Sequence, residues 1–159
     1  MATRSAAAVA ALEKMICAIV ANLPCSYSLS EFHAWGFNLP RGEPCREKWD
    51  LIPTSTQVLM THGPPVGHGD LCKPGDNRAG CVDLLMEIAT RIKPAYHVFG
   101  HIHEGYGQTT DGTTNFVNPS NCNDKYDSSN LNPSIIFDMP LAAAAAPAAA
   151  TSSSSKMEE

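Results

Sequence analysis

Charge of either sign is scarce in this 159-residue chain: charged residues make up 17% of it and aromatic residues 7%. Eleven Lys and Arg against sixteen Asp and Glu leave a formal charge of −5. That sign argues against nucleic acid or an anionic membrane as the main partner, because both need a basic footprint. No apolar run approaches the ~18 residues of a membrane-spanning helix. The six cysteines, at 17, 25, 45, 72, 81 and 122, form no C-x-x-C pair and repeat no spacing. This pattern speaks against a thiolate zinc site. A disulfide framework would need an oxidising compartment. The apolar stretch 16–21 directly follows Glu13 and Lys14, and the alanines before them make an unusually long leader for a secretion signal. The expectation is a cytoplasmic chain with reduced thiols.

What the chain has in excess is alanine, concentrated at its two ends, while every glycine lies between residues 22 and 141. Residues 5–23 read as a helix, with Ser5 as a cap, Ala and Leu as formers and Pro24 after the end. Val9, Leu12, Ile16, Ile19, Val20 and Leu23 recur at three- and four-residue steps and would form an apolar stripe. Residues 24–56 show no clear period and read as packed loop, with at most one short helix near 43–50. Residues 142–159 are Ala/Ser low complexity, a disordered tail by composition.

The middle is more readable. Residues 57–61 (QVLMT) form a short apolar run that breaks at His62-Gly63-Pro64-Pro65. Residues 63–80 carry five Gly and three Pro, hence a loop. Cys81, Leu84, Leu85, Ile88 and Ile92 then share a helical face, with Asn77 or Asp76 as candidate caps and Pro94 as the stop. Residues 96–99 (YHVF) make a second short strand, ending at Gly100-His101-Ile102-His103. Strand, helix and strand of these lengths predict a βαβ unit with parallel strands. A turn at 111–114, a strand at 115–117 and a last strand at 134–138 complete the reading.

In parallel sheets, ligands bind beyond the carboxyl ends of the strands. His62 closes the first strand, and His101 and His103 lie just past the second, so all three are expected at one sheet edge. Neutral imidazoles favour a transition metal over Ca or Mg. The i, i+2 pair His101 and His103 shares one face in an extended turn, whereas in a kinked loop the two rings can address neighbouring ions. A lone strand-end histidine is more often a hydrogen-bonded structural residue, and His97, inside the strand, is read that way. His33 and His68 sit in loops and receive no role.

The segments VLMTHGPP (58–65) and VFGHIH (98–103) resemble the last two motifs of the calcineurin-like metallophosphoesterases. The stretches WGFNLPRG (35–42) and GHIHEGYG (100–107) resemble, more narrowly, the metallophosphoesterase-domain-containing branch. The resemblance implies an α/β fold, here the second half of an αββα sandwich, with an added N-terminal helix and a disordered tail. It divides the chain into residues 1–31 outside the family core, 32–141 as the C-terminal half of the domain, and 142–159 as the tail. It also implies two divalent metals (Mn, Fe or Zn) that activate a water against a phosphoester, with His62 and His101 on one metal and His103 on the other.

The family's earlier motifs, D-x-H, G-D-x-x-D and G-N-H-[DE], do not occur. Without a bridging carboxylate two adjacent cations repel with little to offset it. Three readings therefore stand. The chain is a metal-dependent phosphoesterase acting on small phosphoesters or nucleotides, weakly or not at all as it stands. It is a non-catalytic metal- or nucleotide-binding form that docks on a protein partner through an exposed sheet face. Or the histidines only hydrogen-bond loops.

Overall fold

A computed structural model of the chain describes residues 17–20, 39–73, 77–125, 127 and 129–139. Its centre is a five-stranded sheet built from β1 (Cys17–Val20), β2 (Val58–Thr61), β5 (Tyr96–Val98), β6 (Gly107–Thr110) and β7 (Asn115–Asn118). The spatial order is β1-β2-β5-β7-β6. β1, β2, β5 and β7 pair in parallel, and only β6 runs antiparallel, against β7. A two-stranded antiparallel ribbon, β3 (Leu71–Cys72) and β4 (Asn77–Arg78), stands apart from the sheet.

Among the described residues two α-helices accompany the sheet: α1 (Glu43–Trp49) and α2 (Val82–Glu87), the latter continued by a π-helical turn over Ile88–Ile92. The stripe expected on α2 is buried except at Leu85, which is half-buried. Leu84, Ile88, Ile92 and Cys81 join Leu59, Phe99 and Phe116 of the sheet side and Cys45, Trp49 and Ile52 of the α1 side in one core. Arg91 fastens the two helices: Nη1 donates to Ile52 O at 2.7 Å, just past α1, and Nη2 to Trp49 O at 2.8 Å, a carbonyl that also accepts from Ile52 N–H. Trp49 has no exposed surface, so its truncation to alanine costs about 3–5 kcal/mol.

Several expectations are corrected. Within the helix predicted over 5–23, Cys17–Val20 form a strand that pairs in parallel with β2, and the rest of that segment lies outside the described residues. A short apolar run reads equally as buried helix or parallel strand, and here pairing with β2 overrides local propensity. The α2 cap is Cys81, whose Sγ accepts from Leu84 N at 3.3 Å; Asn77 belongs to β4. The helix does not run regularly to Pro94: Lys93 N–H reaches back five residues to Ile88 O, and Lys93 itself takes φ 48°. The loop over 63–80 contains the small ribbon.

Residues 134–138 form no strand among the described residues. The segment is instead pinned by side chains: Tyr96 stacks on Phe137 and donates to Asp138 O at 3.0 Å, while Tyr106 donates to Pro133 O at 2.8 Å. Strand β6 escaped prediction because Gly-Gln-Thr-Thr is almost wholly exposed and shows no apolar alternation. The turn before β7 is as expected, with Asp111 Oδ1 accepting from Thr113 N and Thr114 N at 2.8 and 2.7 Å. The tail at 142–159 lies outside the described residues. No helix among the described residues is long and apolar enough to cross a membrane.

His97 is fully buried, and burial, with a smaller contribution from His68, lowers its pKa to about 3. In the unfolded chain the same ring takes up its proton near pH 6.5. Unfolding therefore binds a proton between these values, and stability present above about pH 6.5 is lost as pH falls toward 3. A gap of this size is worth on the order of 5 kcal/mol. Urea denaturation across this pH range is expected to show the loss, and His97→Gln should flatten it. An unchanged slope in the variant would contradict the assignment.

Candidate functional site

The register of β2 against β5 builds the site. Val58 faces Tyr96, Leu59 faces His97 and Met60 faces Val98, so the chain leaves both strands at the same level. One residue past β2 comes His62; two and more past β5 come Gly100 and His101. The Gly100 N–H donates to His62 O at 2.9 Å and ties the two exits together. The imidazoles of His62 and His101 then sit with ring centroids 4.8 Å apart at 50°.

His101 adopts φ 70°, one of two non-glycine residues with positive φ among those described. Across it, Ile102 N–H donates to Gly100 O at 2.8 Å, closing a three-residue turn. A γ-turn with positive φ at its centre is rare and strained, and such conformations cost of order 1–3 kcal/mol unless neighbours over-determine them. The neighbours are present. Asn118 Nδ2 donates to Ile102 O at 2.7 Å on one side, and the Gly100–His62 bond holds the other. Burial pushes the His101 pKa down, and His62 and His103 push it the same way, which favours the neutral ring.

His103 opens a 3-10 turn over His103–Gly105, and its Nδ1 lies 3.2 Å from Asn123 O. A carbonyl only accepts, so this bond places the ring proton on Nδ1 and the lone pair of the neutral ring on Nε2. That turn packs tightly on the loop before β3: a Cβ on Gly105 would meet Gly69 O at 2.1 Å.

Beneath His62, Thr61 Oγ1 donates to Gly63 O at 2.7 Å and accepts from His97 Nε2–H at 2.8 Å. His97 is thus structural, as expected, and steadies the bend that carries His62. His68 stacks on Phe116 with ring centroids 3.6 Å apart and bonds Thr109 Oγ1 at 2.8 Å, away from the pair. His33 lies outside the described residues.

The structure therefore brings His62 and His101 together and sets His103 two residues on, against Asn123. Among the described residues it assembles no group of three or more His, Cys, Asp or Glu side chains able to hold a metal ion. What sequence reasoning missed is the amide network behind the histidines, made by Asn118, Ser120, Asn123 and Asn132. The signal was the dense run of short polar residues after β7, N-P-S-N-C-N.

This is an α/β protein with histidines gathered where two parallel strands end. No family model matches the chain. Metallophosphoesterase domain-containing protein 1 of Homo sapiens is 51% identical over 109 residues, which cover 69% of this chain and 33% of that protein. The protein of the same name from Mus musculus matches equally. UPF0046 protein T07D4.2 of Caenorhabditis elegans is 52% identical over 107 residues, 67% of this chain and 26% of that protein. Over the matched stretch the chain belongs to the metallophosphoesterase-domain-containing proteins. It spans about a third of the length of the human and mouse relatives and about a quarter of the nematode one.

If His101 holds a strained turn, the conformational penalty falls on any side chain there except glycine. Thermal and urea denaturation are expected to find His101→Gly more stable than His101→Ala by about 1 kcal/mol. The reverse order would contradict the positive φ.

Proposed function

We propose that this segment supplies histidine ligands to a metallophosphoesterase centre, His62 and His101 to one divalent ion and His103 to a second. The observation that carries the reading is the 4.8 Å approach of the His62 and His101 rings at the paired strand ends. In kind, the donors fit Mn, Fe or Zn, since neutral imidazoles suit such metals; in number, the described residues supply only part of a centre. A divalent ion bound there would supply an activated water and charge stabilisation at the phosphoryl group.

The chain's own residues have separate tasks. The turn at His101 sets its ring toward His62. The Asn123 carbonyl fixes the tautomer of His103, an arrangement that orients ligating histidines. Thr61 and His97 hold the bend at Gly63. The substrate class this favours is a small phosphoester or nucleotide, since a metal clamp reads the phosphate more than its substituent. The sequence lacks the carboxylate motifs of the family, so this chain is expected to turn over slowly or not at all. The proposed compartment is a reducing one such as the cytoplasm, on the cysteine spacing alone.

A second reading is a non-catalytic metal- or nucleotide-binding form that docks on a protein partner. What favours it is Ile136, 88% exposed beside the stacked Phe137, which leaves apolar surface at that end of the sheet.

Mn(II) binding, followed by electron paramagnetic resonance of the free ion, is expected to weaken roughly tenfold or more in His62→Ala and in His101→Ala. Hydrolysis of bis(p-nitrophenyl) phosphate by the unmodified chain should stay near the uncatalysed rate. Unchanged Mn(II) binding in the double variant would sink the reading. Brisk hydrolysis that survives His103→Ala would remove His103 from it.

A further inference from the structure

We propose that Asn118 is a positioning residue: its buried carboxamide holds the turn that places His101 and His103. The inference rests on the reading of these histidines as metal ligands, and it concerns a residue outside the motif that names them.

Asn118 ends β7 and is 1% exposed. Its amide is used at both ends. Nδ2 donates to Ile102 O at 2.7 Å, while Oδ1 accepts from Ser120 N at 3.1 Å and from Ser120 Oγ at 2.7 Å. Ser120 is itself held, because Asn132 Nδ2 donates to its carbonyl at 2.8 Å. The Ser120 hydroxyl sits over the turn: a Cβ on Gly100 would lie 3.4 Å from it. The residue bonded by Asn118 is therefore the one between the two histidines, and the residue oriented by Asn118 covers the glycine before them.

The chemistry requires both ends of an amide. Ile102 N–H is spent on Gly100 O, and Ile102 O also accepts from Gly105 N at 3.1 Å, so the peptide flanked by the histidines is gripped from three directions. Of these three contacts the Asn118 bond is the one made from another strand, and with the Gly100–His62 bond it references the turn to the sheet. A turn with positive φ at a non-glycine residue persists only when its surroundings over-determine it, and this bond is part of that determination. An aspartate at 118 would keep the acceptor for Ser120 but lose the donor and turn a second oxygen toward Ile102 O.

A control lies just before the same strand. Thr114, also 1% exposed, precedes β7 and donates from Oγ1 to Pro94 O at 2.7 Å, at the opposite end from the histidines. Thr114→Val removes one buried hydrogen bond without touching the turn.

The test is a Co(II) titration of the full chain, read by visible absorption of the bound ion, with thermal unfolding measured in parallel. Asn118→Asp and Thr114→Val are both expected to lower the unfolding temperature. Only Asn118→Asp is expected to weaken Co(II) binding, by roughly tenfold, as supporting contacts around metal-binding histidines do. Equal affinity in Asn118→Asp and the parent, or equal weakening by both variants, would overturn the proposal. Should Asn118→Asp fail to fold, Ser120→Ala loosens the same amide and is expected to weaken Co(II) binding by a smaller factor; no change there would also overturn it.

A parent chain that takes up no Co(II) would refute the metal reading but leave the positioning testable. Ring-proton NMR shifts of His101 and His103 are expected to move in Asn118→Asp and stay put in Thr114→Val. Unmoved shifts in Asn118→Asp would overturn the positioning role itself.

Discussion

Everything at the candidate site depends on the parallel pairing of β2 with β5. The register sets Met60 against Val98, so the two strands end level and their exits share one edge. A parallel pair needs a crossover between its strands, and the chain supplies one in α2, whose buried face closes the core over Leu59, Phe99 and Phe116. A one-residue slip would reverse every side chain on β5, bury Val98 where His97 now lies and carry the histidines away from one another. The hydrophobic core therefore fixes the register, and the register fixes the site.

On that frame sits a small assembly that is costly in isolation. His101 occupies a strained turn, His97 is buried without charge, and Asn118 hides a carboxamide under the loop. Each of these would destabilise an unsupported loop. Together they share partners: Gly100 bonds His62, Thr61 links His97 to Gly63, and Asn118 bonds Ile102. A buried polar group specifies one arrangement when it is satisfied, as the Asn118 amide is at both ends. Holding the His62 and His101 rings close is a use consistent with that specification, and burial of His101 favours its neutral form.

The sequence made the core of this design readable and left its edges obscure. β2, β5 and β7 were legible as short apolar runs with Gly, Pro or Asp at their ends, and α2 as a stripe from Cys81 to Ile92. From them the meeting of His62 with His101 followed by topology alone. β1 was mistaken for helix because Cys-Ala-Ile-Val lies in alanine-rich sequence and its strand state depends on a partner forty residues away. β6 was missed because its residues face solvent. Ser134–Asp138 carries the short apolar run Ile-Ile-Phe and reads as a strand, but it is held by the Tyr96 side chain at Phe137 and Asp138 and, just before it, by Tyr106 at Pro133. The left-handed turn at His101 and the reach of Asn118 under Ile102 were hidden for a different reason. Residue type only biases φ at a histidine, and an asparagine before proline reads as a turn former.

Whether the paired strand ends present His62 and His101 to one divalent ion is decided by anomalous diffraction from crystals of the chain grown with Mn(II). A peak is expected between the two rings, about 2 Å from a nitrogen of each. A peak at other residues, or an ordered site with the two imidazoles apart and no ion between them, would contradict it.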